Sequence, residues 1–132
     1  TANILKRKAF TVSMAEAGQV VACDYVGIVS GNKVADKFAR AGFHATRSEF
    51  VDAPLIDELS VAMECRLKDY NPETSILRGE IVNVSVDERV LGENGKVDAS
   101  KVVPIIFDPF NNDYLKVGEK VGNAFSDGKI LK

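Results

Sequence analysis

The chain has 132 residues, the length of one ordinary domain, with 45% hydrophobic and 27% charged residues, a composition that leaves no case for disorder. Its 17 basic residues are set against 19 acidic ones, so it carries no general attraction for phosphate backbones, and nucleic acid is not an expected partner. No apolar run reaches the length needed to span a bilayer, and the N-terminus lacks the charged-then-apolar pattern of a secretory signal, so no membrane partner and a cytoplasmic location are expected.

In chain order, the basic cluster Lys6-Arg7-Lys8 reads as a solvated lead-in to a strand, "AFTVSM", in which Phe10 and Val12 share one face. Ser13-Met14-Ala15-Glu16 then fits the S-x-x-E capping box and predicts a helix start. Val21, Tyr25 and Ile28 recur at i, i+4 and i+7 in that helix, and Gly31 offers a left-handed residue to end it. Asn32 is placed to cap a second helix, with Val34, Phe38 and Ala41 on one face, Lys33, Lys37 and Arg40 on another, and Gly42 closing it.

"SVAMECRLK" follows with strict period two: Val61, Met63, Cys65 and Leu67 alternate with Ser60, Ala62, Glu64, Arg66 and Lys68, which predicts a strand buried on its apolar side. "ILRGEIVNVSV" predicts a second long strand, with Val82, Val84 and Val86 on one face and Asn83 and Ser85 on the other; Gly79 marks a bulge or a close backbone approach. A turn rather than a crossover helix separates the two, so they should pair antiparallel. "GENG" is a turn, Asp98 caps a brief helical turn through Val102, and Pro104 stops it before the strand-like "IIF". "FDPFNND" is the segment most like a functional surface loop.

Several chemistries lack their residues. Cys23 and Cys65 are too far apart in sequence for a CxxC pair or a zinc knuckle and read as buried thiols. His44 stands alone, without a G-x-S-x-G elbow. Aligning Gly95 with the invariant glycine of a calcium loop puts Val90 and Gly92 where oxygen ligands belong, which rejects an EF-hand. GxGxxG and P-loop signatures are missing, and nothing near Thr1 resembles the base that an N-terminal nucleophile needs.

Read together, "DYVGIVSG", "DKFARAGF", "VDAPLI", "LRGEIVNVSVDERVLGENGKVD" and "VPIIFDP…YLKVGEKVGNAF" resemble, in order and through almost the whole chain, the flavoredoxin branch of the flavin reductase-like family. The resemblance implies a mainly β, antiparallel Greek-key FMN-binding split barrel with flanking helices, occupying residues 1–132 as one N-terminally short domain, and forming a homodimer with FMN near the interface. It implies flavin-dependent electron transfer, commonly from a nicotinamide donor, NAD(P)H. By position in the family pattern Lys37 of "DKF" contacts the flavin, and Phe107 borders it. Thr74 falls where the pattern has a histidine and offers only a hydroxyl there. Composition alone reads Lys37 as a solvated charge and Phe107 equally as core.

The resemblance begins after the family strands that supply an asparagine, a tryptophan and a threonine to FMN. The chain is therefore expected to be a piece of a longer protein, to be completed by another polypeptide or a rearranged dimer, or to have shed flavin binding. Two functions follow: an FMN-dependent oxidoreductase or electron carrier, and a shortened split-barrel module that acts through its dimer surface with "VDERVLGENGKVD" and "FDPFNND" as contacts. Another planar ligand in a remodelled pocket is a third, without positive signal in the residues.

Overall fold

The computed structural model describes all residues, Thr1–Lys132. A short helix, α1 (Ala2–Arg7), leads into strand β1 (Ala9–Ser13), helix α2 (Val20–Ile28) and a single turn, α3 (Lys37–Arg40). A small hairpin, β2 (Ala45–Arg47) and β3 (Pro54–Ile56), precedes the two long strands β4 (Val61–Asn71) and β5 (Ile76–Val86). The turn α4 (Ala99–Val102) and a second hairpin, β6 (Ile105–Asp108) and β7 (Asp113–Lys116), complete the elements used below. All pairing is antiparallel, in one sheet of order β1-β4-β5 and two separate hairpins, β2-β3 and β6-β7.

The long hairpin forms where the alternation predicted it, and its register contains two irregularities, between Glu64 and Cys65 and between Leu67 and Asp69. Gly79 sits opposite Leu67 beside the second of these. It is there because Phe10 lies against it: a Cβ at this position would stand 2.5 Å from Phe10 Cζ, well inside van der Waals contact. Asp98 caps α4 by accepting from Ser100 N–H, and Gly42, at φ 76°, closes α3 as a left-handed residue.

The predicted helix start at Ser13 is displaced. Ser13 pairs with Ala62 in the sheet and Met14 N–H continues the ladder to the Val61 carbonyl, so the capping serine is consumed by β1. Glu16 turns instead to Ser60, accepting from both its backbone N–H and its hydroxyl at 2.6 Å. The helix begins only at Val20, and it ends at Val29 with an extended residue rather than at Gly31. Asn32 caps nothing: its N–H donates to Ser30 Oγ, and α3 starts after Asp36. The basic cluster is an exposed lead-in to β1, as expected, but a helical one: Lys6 and Arg7 form the last turn of α1 and Lys8 its cap.

The buried side of the sheet also differs from the alternation. Thr11, Glu64 and Asn83 are mutually opposite across the three strands, and Ser13, Ala62 and Ser85 form the next row, so these six share a face. The β2–β3 hairpin covers it: Thr11 Oγ1 donates to the Pro54 carbonyl at 2.6 Å, and Ser48 reaches Glu64. Ala62 and Glu64 are buried, whereas Val12 and Val84 on the apolar face are 43% and 51% exposed. Cys65 is buried and Cys23 half-buried, and burial pushes both thiols above their usual range. No helix is long and apolar enough to cross a membrane.

Candidate functional site

Lys37 stands at the first position of α3, on the turn that follows α2. Its ammonium donates to the carbonyls of Val26 and Val29, at 2.8 and 2.9 Å, which places a cation on the C-terminal end of α2. A helix terminus presents unpaired carbonyls and partial negative charge, so this position suits a lysine on its own account. An ammonium carries three N–H donors, and these two bonds leave one for a ligand. The lysine is therefore not the freely solvated charge that composition suggests. It is a half-buried, oriented cation.

Phe107 lies in β6, 53% exposed, with its ring centroid 5.8 Å from that of Tyr114 on the paired strand. The Tyr114 hydroxyl donates to Asp24 Oδ1 at 2.8 Å, tying this hairpin to α2; the carboxylate beside it pushes the phenol above its usual range. The root of the hairpin is fixed by Ile105 N–H to the Ala15 carbonyl and by the Glu16–Pro104 bridge. Phe107 is thus an exposed aromatic wall rather than core, and both it and Lys37 are positioned through α2.

Thr74 is elsewhere. It sits in the β4–β5 turn, where its N–H donates to Asn71 Oδ1 and its Oγ1 accepts from Ile76 N–H. The hairpin carrying Phe107 is rooted beside the Ser60 end of β4, and at ~3.3 Å per residue the run from Ala62 to Asn71 places Thr74 roughly 30 Å away along the strand. In one copy of the chain Lys37 bonds α2 directly and the hairpin that carries Phe107 is tied to it through Tyr114, while Thr74 lies at the far end of the long strands.

The profile of the flavin reductase like domain matches residues 1–107. The chain belongs to the flavin reductase-like family. Among solved structures it is similar to flavoredoxin of Desulfovibrio vulgaris (Miyazaki F), with 40% identity and a TM-score of 0.89 over 96% of this chain and 68% of that one. It is also similar to flavoredoxin from Methanosarcina acetivorans, at 31% identity and a TM-score of 0.86, covering 98% of this chain and 68% of the other. An uncharacterized protein of Aquifex aeolicus (strain VF5) is 32% identical over 105 residues, 78% of this chain and 53% of its own, so the chain spans about half the length of that curated relative. The architecture is that of the family's split barrels, mainly β with a few helices, here with its strands in three antiparallel groups and no closed barrel.

Beside these positions the flavin reductase-like chain builds a buried polar cluster that alternation did not predict. Glu64 is wholly buried and has no cation beside it. Burial pushes its carboxyl up, but hydrogen bonds from Ser48, Ser85 and Asn83 pull it down further, and the net direction is below the usual range. Asn83 Nδ2 donates at 2.7 Å to Oε1, which also accepts from the Ser85 hydroxyl, while Ser48 donates to Oε2. Ser48 in turn accepts from the N–H groups of Phe50 and Val51, both at 3.0 Å, so the carboxylate fastens the β2–β3 loop to the sheet. The available signal was the coincidence of Glu64, Asn83 and Ser85 on one face of two antiparallel strands. His44 is exposed and paired, Nδ1 to Glu58 Oε1 at 2.6 Å, and belongs to no catalytic cluster. No group of metal-ligating side chains converges.

Proposed function

We propose that this chain binds FMN and serves as a flavin-dependent oxidoreductase or electron-transfer protein, with a nicotinamide dinucleotide as electron donor. The observation that carries this is the Lys37 ammonium: it is fixed on the end of α2 with a third donor to spare, on the helix that also anchors the exposed Phe107–Tyr114 wall. These groups fit a flavin. An ammonium can neutralise a phosphate or a reduced, anionic ring, and a flat apolar wall suits the isoalloxazine. The flavin, when bound, supplies the redox chemistry; the protein binds, orients and shields it.

A homodimer accompanies this reading. The outer edge of β5 has no partner strand, Ile81 and Val84 are 55% and 51% exposed, and Thr74 can approach a site on α2 only from a second copy. A multi-angle scattering mass of two chains is expected, and a monomer would remove Thr74 from the site.

The test is an FMN titration followed by flavin fluorescence, with Lys37→Met and Phe107→Ala beside the parent chain. Saturable binding that each variant weakens by about tenfold or more, the scale of one lost charge-assisted bond or aromatic contact, is expected. A chain that takes up no flavin overturns the reading. A colourless dimer would favour the interaction module instead, for which the exposure of Val121, Phe125, Ile130 and Leu131, between 87% and 103%, is the specific support.

A further inference from the structure

The hairpin that carries Phe107 stands apart from the rest of the sheet structure. β6 and β7 pair with each other and with no other strand. Ile106, Phe107 and Leu115 are exposed, as is every residue of β7, so little buried apolar surface holds the hairpin down. At its root Ile105 N–H donates to the Ala15 carbonyl, Val117 N–H donates to the Pro104 carbonyl, and Glu16 bridges Pro104. Beyond the root a single hydrogen bond joins it to the rest of the protein, from the Tyr114 hydroxyl to Asp24 Oδ1 on α2 at 2.8 Å. The chain enters the hairpin through Val103, whose φ of 49° is a left-handed conformation that a β-branched residue rarely adopts, so this corner is strained. On the exit side residues 118–132 hydrogen-bond only among themselves and tether nothing.

We propose that β6–β7 is a lid, hinged at Val103 and Pro104 and latched to α2 by Tyr114 on Asp24. Latched, it fixes the Phe107 ring, through its pairing with the Tyr114 ring, relative to α2 and so to Lys37, which bonds the same helix. Released, the two rings swing away together and the Val103 corner is free to relax. Tyr114 is a positioning residue that acts through Phe107, and Asp24 is its anchor. That the lid governs the entry and exit of flavin rests on the proposed function; that the hairpin moves against α2 does not.

Tyr114→Phe removes the latch and keeps the aromatic pair, and Asp24→Ala removes it from the other side with a good helix former. Nitrogen-15 relaxation-dispersion NMR of the flavin-free chain reads the exchange of the hairpin between its two positions. Dispersion is expected in residues 105–116, with a ratio of released to latched hairpin that rises about tenfold or more in either variant, the scale of one hydrogen bond to a charged group, and no further in the double variant. Strands β4 and β5 should show none of it. Stopped-flow mixing with FMN then separates a lid from a fixed wall. Association and dissociation should both speed up in Tyr114→Phe, whereas a fixed wall that had lost contacts would speed dissociation alone. Flat dispersion in the variants, an additive double variant, or an unchanged association rate overturns the lid. A chain that takes up no FMN overturns the proposed function, and the NMR arm then decides the latch by itself: release confined to residues 105–116 supports it, and flat profiles overturn it.

Discussion

Replacing Glu64 by glutamine tests the buried cluster with the least change in shape. In the parent protein both carboxylate oxygens only accept, one from Ser48 and the other from Asn83 and Ser85. With the glutamine oxygen facing Asn83 and Ser85, its NH2 group must face Ser48, whose two lone pairs already accept from Phe50 and Val51. The alternative rotamer aims NH2 at the Asn83 donor. Either way a buried donor loses its partner, and two bonds lose their charge assistance, which together cost about 2–4 kcal/mol. At ~4 °C per kcal/mol for a chain of this length, Tm should fall by roughly 8–15 °C. The pH dependence has a definite sign. Because the folded carboxyl titrates below its ordinary value of 4.5, its contribution is complete above that value and is lost as pH falls through the lower, folded one. Urea melts of parent and Glu64→Gln should therefore differ most near neutral pH and draw together on acidification. Equal midpoints at neutral pH, or a gap that does not narrow in acid, would refute the assignment of an ionised carboxylate that holds the loop.

Gly79→Ala drives a methyl to 2.5 Å from Phe10 Cζ and should cost about 1–3 kcal/mol in a chemical melt; an unchanged midpoint would mean that Phe10 moves aside freely. Lys37→Met keeps the apolar stem and removes both bonds to the end of α2, so it should lower stability by about 1–2 kcal/mol even without flavin; if only flavin affinity changes, the capping role is wrong. His44 should titrate above 6.5 by NMR because Glu58 favours its protonated form, and Glu58→Gln should return it toward that value. The stabilisation from this pair is complete below the unfolded value and fades as pH rises through the folded one, the opposite sign to Glu64.

The parts of the fold that local chemistry controls were legible in the residues. Period-two patterning defines the β4–β5 hairpin, because adjacent antiparallel strands need only a turn between them. Asp98 caps α4 and Gly42 closes α3 because the capping side chain and the left-handed residue act within one turn of chain. Gly79 was flagged as a close approach, though not what approaches it. The resemblance to flavoredoxins nominated Lys37, Phe107 and Thr74 for a flavin site, yet gave neither the use of Lys37 on the carbonyls of α2 nor the place of Thr74 in the far turn of the β4–β5 hairpin.

What tertiary structure decided was mostly the destination of polar groups. Ser13 and Glu16 satisfy the local rule for a helix start, but β1 needs Ser13 for its ladder and Ser60 supplies two donors to Glu16, so the helix begins later. Alternation identifies two faces of a strand and not which of them another element will cover. Here the β2–β3 hairpin brings Ser48 and the Pro54 carbonyl, which complement Thr11 and Glu64, and the polar face becomes the covered one. Arg7, Arg47 and Asp52 carry no common spacing, and only the packing of α1 beside that hairpin sets two arginines around one carboxylate.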